Sequence, residues 1–149
     1  AATVSNRTPR GAYGVPNSSP IAARLGMKVQ KMGRTTMHTT GRVTALNVFS
    51  PVGYDNGIAF FTGQIEIIKP IIIVYEPTGE TTVVFEEFSA GGDSGSLIVT
   101  TYGNNPIGLL FAGSTFVTLA NPIETVLDAV GQRLGQPVTI DGARSNIRR

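Results

Sequence analysis

The chain has 149 residues, with 41% hydrophobic and 15% charged side chains, 18 Gly, 9 Pro, no Cys and a formal net charge of +2. That length is enough for one compact domain with a real core, and the composition excludes a disordered chain. No apolar run approaches the ~20 residues of a membrane-spanning helix. The missing cysteines exclude a disulfide framework or thiolate metal site, and a lone histidine excludes multi-histidine metal sites. No metal, cofactor or membrane is therefore expected.

The positive charge is unevenly spread. Arg7, Arg10, Arg24, Lys28, Lys31, Arg34 and Arg42 all precede the first acidic residue, Asp55, and Arg144, Arg148 and Arg149 fall near the end. These residues are scattered and not interleaved with stacking aromatics. A nucleic-acid partner is disfavoured, and they read as solvated strand faces and a polar tail.

In chain order, residues 1–20 are rich in Gly, Pro, Ser, Asn and Arg without period, as in an arm or linker. The opening Ala1-Ala2-Thr3, with no initiator Met, is expected of a processed product or excised piece. Leu25 to Met32 and Gly41 to Phe49 read as strands. In the latter, Val43, Ala45 and Asn47 share one face, and Thr44, Leu46 and Val48 the other. Ser50 to Gly57 is turn-rich. Ile58 to Phe61, Gln64 to Ile68, Ile71 to Tyr75, Thr81 to Phe85, Ser96 to Thr101, Ile107 to Ala112 and Thr115 to Leu119 complete a series of short strands. Asn121-Pro122 offers an N-cap followed by a first-turn Pro. Ile123, Val126, Leu127, Val130 and Leu134 then recur at helical spacing until Gly135. The pattern predicts an all-β fold, a small closed antiparallel barrel over 21–136 with a C-terminal helix, followed by a basic tail over 137–149.

One loop carries chemistry. Nucleophilic serine catalysis needs a sharp turn that exposes the hydroxyl and aims backbone N–H groups at the developing oxyanion. Gly91-Gly92-Asp93-Ser94-Gly95-Ser96 supplies such a turn, with Ser94 as nucleophile and the N–H groups of Gly92 and Ser94 as oxyanion hole. Asp93 would hold the loop through a buried pair or hydrogen bonds. Glycine-rich Asp-Ser turns also occur as ordinary hairpin loops, so the motif needs context.

The context resembles the chymotrypsin-like serine proteases. Gly33-Arg34-Thr35-Thr36 and Thr39-Thr40-Gly41-Arg42-Val43 resemble the Gly-Arg-Thr-Thr and Thr-Gly-x-Val segment of a bacterial and plant trypsin-like branch. Gly108-Leu109-Leu110-Phe111-Ala112-Gly113 resembles the substrate-binding strand, where a closing Gly lets peptide pair with the edge. Ala120-Asn121-Pro122-Ile123 fits the branch too. The resemblance runs from about Leu25 to Leu134. It implies a six-stranded Greek-key barrel, the second of a two-barrel fold, with residues 1–20 as arm or inter-barrel linker. It also implies Phe111, Ala112 and Gly113 as substrate-binding residues. By position it puts Phe88 at the base of the specificity pocket, beside Gly113 and Thr115, favouring an apolar or small side chain over Lys or Arg; the alternative is Phe88 as plain barrel core.

In that family the base and its carboxylate come from the first barrel. The resemblance thus implies an N-terminal barrel carrying His and Asp as partner, and a peptide or protein as substrate. Self-cleavage before Ala1 would account for the chain's first residue. His38 with Asp55 could restore a His, Asp, Ser order, but His38 falls within the segment assigned to this barrel, and Asp55-Asn56-Gly57 is an ordinary turn signal. A surface His38 is expected. Glu86 and Glu87 would point to opposite faces of a strand, one solvated and one approaching the nucleophile loop. Two readings compete: a serine endopeptidase barrel, inactive in isolation, and a catalytically incomplete barrel that binds protein or peptide, with an exposed apolar surface favouring homo-oligomers. The residues indicate no compartment.

Overall fold

The computed structural model describes residues 5–144. Residues 1–4 of the expected arm and 145–149 of the expected basic tail, with Arg148 and Arg149, lie outside them. Eight strands and one helix follow in order among the described residues: β1 (Lys28–Met32), β2 (His38–Tyr54), β3 (Gly57–Ile68), β4 (Ile72–Tyr75), β5 (Thr81–Val84), β6 (Leu97–Thr100), β7 (Pro106–Gly113), β8 (Thr118–Pro122) and α1 (Ile123–Leu134). Six of the strands form an antiparallel sheet in the order β1-β2-β3-β8-β7-β6, and β6 pairs back onto β1 to close it. β4 and β5 form a separate hairpin.

The barrel closes around Val29, Val43, Ile65, Ile67, Phe88, Ile98, Ile107, Leu110 and Ala120. These residues come from all six strands and the loop ahead of β6, so burying them requires the closed sheet. The alternation read in β2 holds at Val43 and then breaks. Successive register shifts follow Val43 and Ala45, and Asn47 takes a left-handed φ of 55°. Such bulges insert an unpaired residue and swing the strand. A matching shift on β3 falls at Gly63, φ 70°. It fuses the two expected runs, Ile58 to Phe61 and Gln64 to Ile68, into one strand.

The turn expected over Ser50 to Gly57 is mostly strand. Ser50, Pro51, Val52, Gly53 and Tyr54 pair with Phe61, Phe60, Ala59, Ile58 and Gly57, leaving only Asp55 and Asn56 as the turn. Pairing with the β-branched and aromatic run of β3 overrides the local turn preference, because strand formation depends on its partner more than on its own residues. At the far end of this hairpin Phe49 and Phe60 stack with centroids 5.8 Å apart.

Asn121 and Pro122 belong to β8, opposite Leu109 and Gly108, and α1 starts at Ile123. Pro122 holds the N-cap position without a side-chain cap bond, while Gly135 ends the helix at φ 69°. Glu124 and Arg133 lie in the first and last turns, matching the helix dipole. Only Ile123 is fully buried; Val130 and Leu134 are exposed. The arm is tied to the β6–β7 turn and to the chain after α1. Asn17 N donates to Asn104 O (2.8 Å), Asn104 Nδ2 to Tyr13 O (2.9 Å), and Ala143 N to Pro16 O (2.8 Å).

Candidate functional site

Ser94 stands at the tip of the loop between β5 and β6, exposed, with Gly92 at φ 97° and Gly95 at φ 88° on either side. Only glycine adopts such angles without strain. At Gly92 a side chain is excluded a second time, since a Cβ would lie 2.6 Å from the Arg34 guanidinium and from Thr35 Oγ1. The loop is pinned from both sides: Gly95 N donates to Leu110 O (2.7 Å), Ser96 N to Asp93 O (3.0 Å) and Asp93 N to Ala90 O (3.1 Å). The N–H groups of Gly92 and Ser94 donate to no acceptor among the described residues. Ser94 Oγ points to the Phe111 carbonyl at 3.3 Å.

Asp93 faces inward beneath this tip. Its Oδ1 accepts from the N–H groups of Thr35 (2.7 Å) and Thr36 (3.2 Å), and its Oδ2 from Thr36 Oγ1 (2.6 Å) and Ala90 N (3.1 Å). Lys31 Nζ completes the shell at 3.3 Å from Oδ2, both side chains being 0% exposed. Lys31 also donates to Thr36 Oγ1 and to Met37 O, and its Nζ lies 5.7 Å from the centre of the Phe88 ring. Burial alone would push the Asp93 carboxyl up. The Thr36 hydroxyl and the N–H groups of Thr35, Ala90 and Thr36 outweigh that and hold it well below the usual carboxylate range. Burial pulls the Lys31 ammonium below its ordinary value, against the pull of Asp93.

This gives the Gly33 to Gly41 segment a physical role. Thr35 Oγ1 donates to Gly91 O (2.8 Å) and Thr39 Oγ1 to Phe88 O (2.7 Å). A Cβ on Gly33 would lie 2.3 Å from Asp93 Oδ1, and one on Gly41 2.7 Å from the Phe88 ring. The segment is a cradle for the Ser94 loop. Lys31, expected on a solvated face, is the residue that sequence reasoning missed. The signal was present: Lys31 is two residues from core Val29 on β1, so the two share a face.

A cavity of about 400 Å³ opens beside Ser94. Gly91, Ala112, Gly113 and Thr115 line it, together with Glu87, Ser89 and Ser114. Phe88 does not. Its ring is 3% exposed and belongs to the core cluster, which matches the plain-core alternative, and it does not form the base of this cavity. Phe111 is also absent from the lining. It packs on Phe61 with centroids 4.8 Å apart and presents its carbonyl to Ser94. A second cavity of about 430 Å³ flanks Ala112 and Gly113 on the side of Ser50 to Gly53. An apolar cavity of about 200 Å³ between the arm and α1, lined by Ile21, Leu46 and Ile123, shares no residue with either.

His38 and Asp55 are not brought to the serine. His38 opens β2, is exposed and contacts Gln30 Oε1 through Nε2 (3.0 Å), whereas Asp55 lies in the turn beyond the other end of the same strand. Glu86 and Glu87 follow β5 outside any strand; Glu86 pairs with Lys69 and Glu87 borders the cavity. No cluster of three metal-ligating side chains occurs among the described residues.

No protein-family profile matches the chain. The rice (Oryza sativa subsp. japonica) protein NARROW LEAF 1 is 34% identical over 99 residues, which is 64% of this chain and 14% of the rice protein. Among solved structures, a glutamic acid-specific serine protease is 25% identical with a TM-score of 0.56, over 89% of this chain and 57% of its own. The chymotrypsin of Cellulomonas bogoriensis is 26% identical with a TM-score of 0.53, over 85% of this chain and 59% of its own. Thermobifida fusca protease A, 23% identical with a TM-score of 0.54, shares the fold over 87% of this chain and 60% of its own. The structural neighbours are chymotrypsin-like serine proteases, and they cover most of this chain. The chain spans less than two thirds of the length of each.

Proposed function

We infer that this chain is the nucleophile-bearing, C-terminal barrel of a serine endopeptidase of the Gly-Arg-Thr-Thr branch. Ser94 Oγ attacks the scissile carbonyl, and the N–H groups of Gly92 and Ser94 receive the oxyanion. An acyl-enzyme forms as the amine leaves, and water then releases the acid. The base that takes the Ser94 proton and the carboxylate that orients it come from an N-terminal barrel. The observation that carries this reading is the loop itself: an exposed serine hydroxyl and two unengaged N–H groups, set above a carboxylate that is buried and fully hydrogen-bonded. Asp93 costs the fold a desolvated charge whose evident return is a fixed loop.

The test is labelling by a fluorophosphonate, which needs an activated serine. The full-length protein, or this chain reconstituted with its N-terminal barrel, should be labelled at Ser94, and a Ser94→Ala variant should not. This chain alone should label slowly, because a serine without its base is a weak nucleophile. Absence of labelling in a folded, reconstituted protein would refute the reading. It would favour the second one, a barrel that captures protein or peptide. That alternative draws on the exposed apolar residues of the β4–β5 hairpin, Ile72, Ile73, Val74, Tyr75 and Val83.

A further inference from the structure

The cavity beside Ser94 contains one ionisable side chain. Ser89, Ser114 and Thr115 line it with neutral hydroxyls, and Glu87 adds a carboxylate. The neighbouring Glu86 is neutralised by Lys69, but among the described residues Glu87 has no cation within ion-pair distance, and no basic side chain lines the cavity. The opening depends on Gly113: a Cβ there would lie 2.7 Å from Val117 O and 3.4 Å from Ser89 Oγ. Ser89 is itself fixed by a 2.6 Å hydrogen bond to Thr118 Oγ1. The walls are therefore set: Ala90, Leu110 and Ala112 give them an apolar part, the hydroxyls a polar part, and the exposed Glu87 their one charge.

We propose that this cavity receives a cationic side chain, Lys or Arg, from an extended peptide, and that Glu87 determines the preference. The placing rests on the protease reading only in that the side chain belongs to the residue whose carbonyl Ser94 attacks. An ammonium or guanidinium gains an opposite charge and hydroxyl acceptors. An acidic side chain meets a like charge, and an apolar one leaves the hydroxyls without use. The sequence expectation of an apolar or small side chain depended on Phe88 at the base. With Phe88 in the core, that basis is gone.

The experiment uses the Ser94→Ala chain, so that binding is read without turnover. Four acetylated tetrapeptide amides, identical except for a last residue of Lys, Arg, Leu or Glu, are titrated by NMR. The Lys and Arg peptides should bind about two- to five-fold tighter than the Leu peptide, the worth of an exposed charge pair, and the Glu peptide weakest. Glu87→Gln in the same background should remove the advantage, bringing the Lys and Arg peptides to the affinity of the Leu peptide. A Leu or Glu peptide that binds as tightly as the Lys peptide would overturn the proposal. So would an advantage that survives Glu87→Gln, or no binding by any of the four. Failure here is separable from failure of the protease reading. A cation preference without fluorophosphonate labelling of the full-length protein leaves a binding pocket and no enzyme, and labelling without the preference leaves an enzyme of different specificity.

Discussion

Replacing Lys31 with Met removes the cation from a carboxylate whose side chain is 0% exposed, while keeping an unbranched chain of similar length against Phe88. Breaking a buried ion pair from one side costs about 3–5 kcal/mol, because the remaining charge is left uncompensated. Asp93 would keep its bonds from Thr35 N, Thr36 N, Thr36 Oγ1 and Ala90 N, which places the expected cost at the low end, about 3 kcal/mol. With a urea slope of about 2 kcal/mol/M, the unfolding midpoint should fall by about 1.5 M. Tyrosine fluorescence and circular dichroism can follow it, since the chain has 4 Tyr and no Trp. The double variant Lys31→Met with Asp93→Asn should cost at least about 2 kcal/mol less than the sum of its singles, the coupling expected of groups in one network. A midpoint shift below about 0.3 M, or strict additivity, would refute the claim that the pair supports the loop.

Acid should unfold the protein partly through the same carboxyl. Its folded value lies below the unfolded one of about 3.9, so its contribution is complete above about pH 4 and is lost as pH falls further. Urea midpoints measured between about pH 2 and 6 should show this loss, and Asp93→Asn should flatten it. Lys31 acts at the other end: between its lowered folded value and about 10.4 the unfolded chain binds more protons, so this group's contribution improves as pH rises. Gly33→Ala should destabilise by about 1–3 kcal/mol in the same urea assay, because Asp93 is too tightly bonded to move aside for the new methyl. His38→Ala should leave fluorophosphonate labelling of Ser94 in the full-length protein unchanged; a loss of labelling would mean that this histidine reaches the serine after all.

The strand series, the helix to Gly135 and the sharp glycine-flanked Ser94 loop are legible in the sequence because each rests on local rules: apolar alternation, helical spacing and glycines where the backbone turns sharply. The flanking glycines of Ser94 were read correctly for this reason, and Gly92 and Gly95 do adopt positive φ. Local rules failed where a distant partner decides. Ser50 to Tyr54 carries turn residues but is drawn into strand by the run opposite it on β3. Lys31 looked like a surface charge because its counterion lies 62 positions away, on a loop that only barrel closure brings beneath it. Phe88 and Glu87 are adjacent, and nothing in their order tells which one faces the cavity. The closed sheet decides it by taking the phenyl ring into the core and leaving the carboxylate outside. Local spacing alone shows that a serine loop exists and which residues form it. What anchors that loop, and which side chains wall the space beside it, follow from packing, because desolvation and non-local pairing act only once the chain has closed.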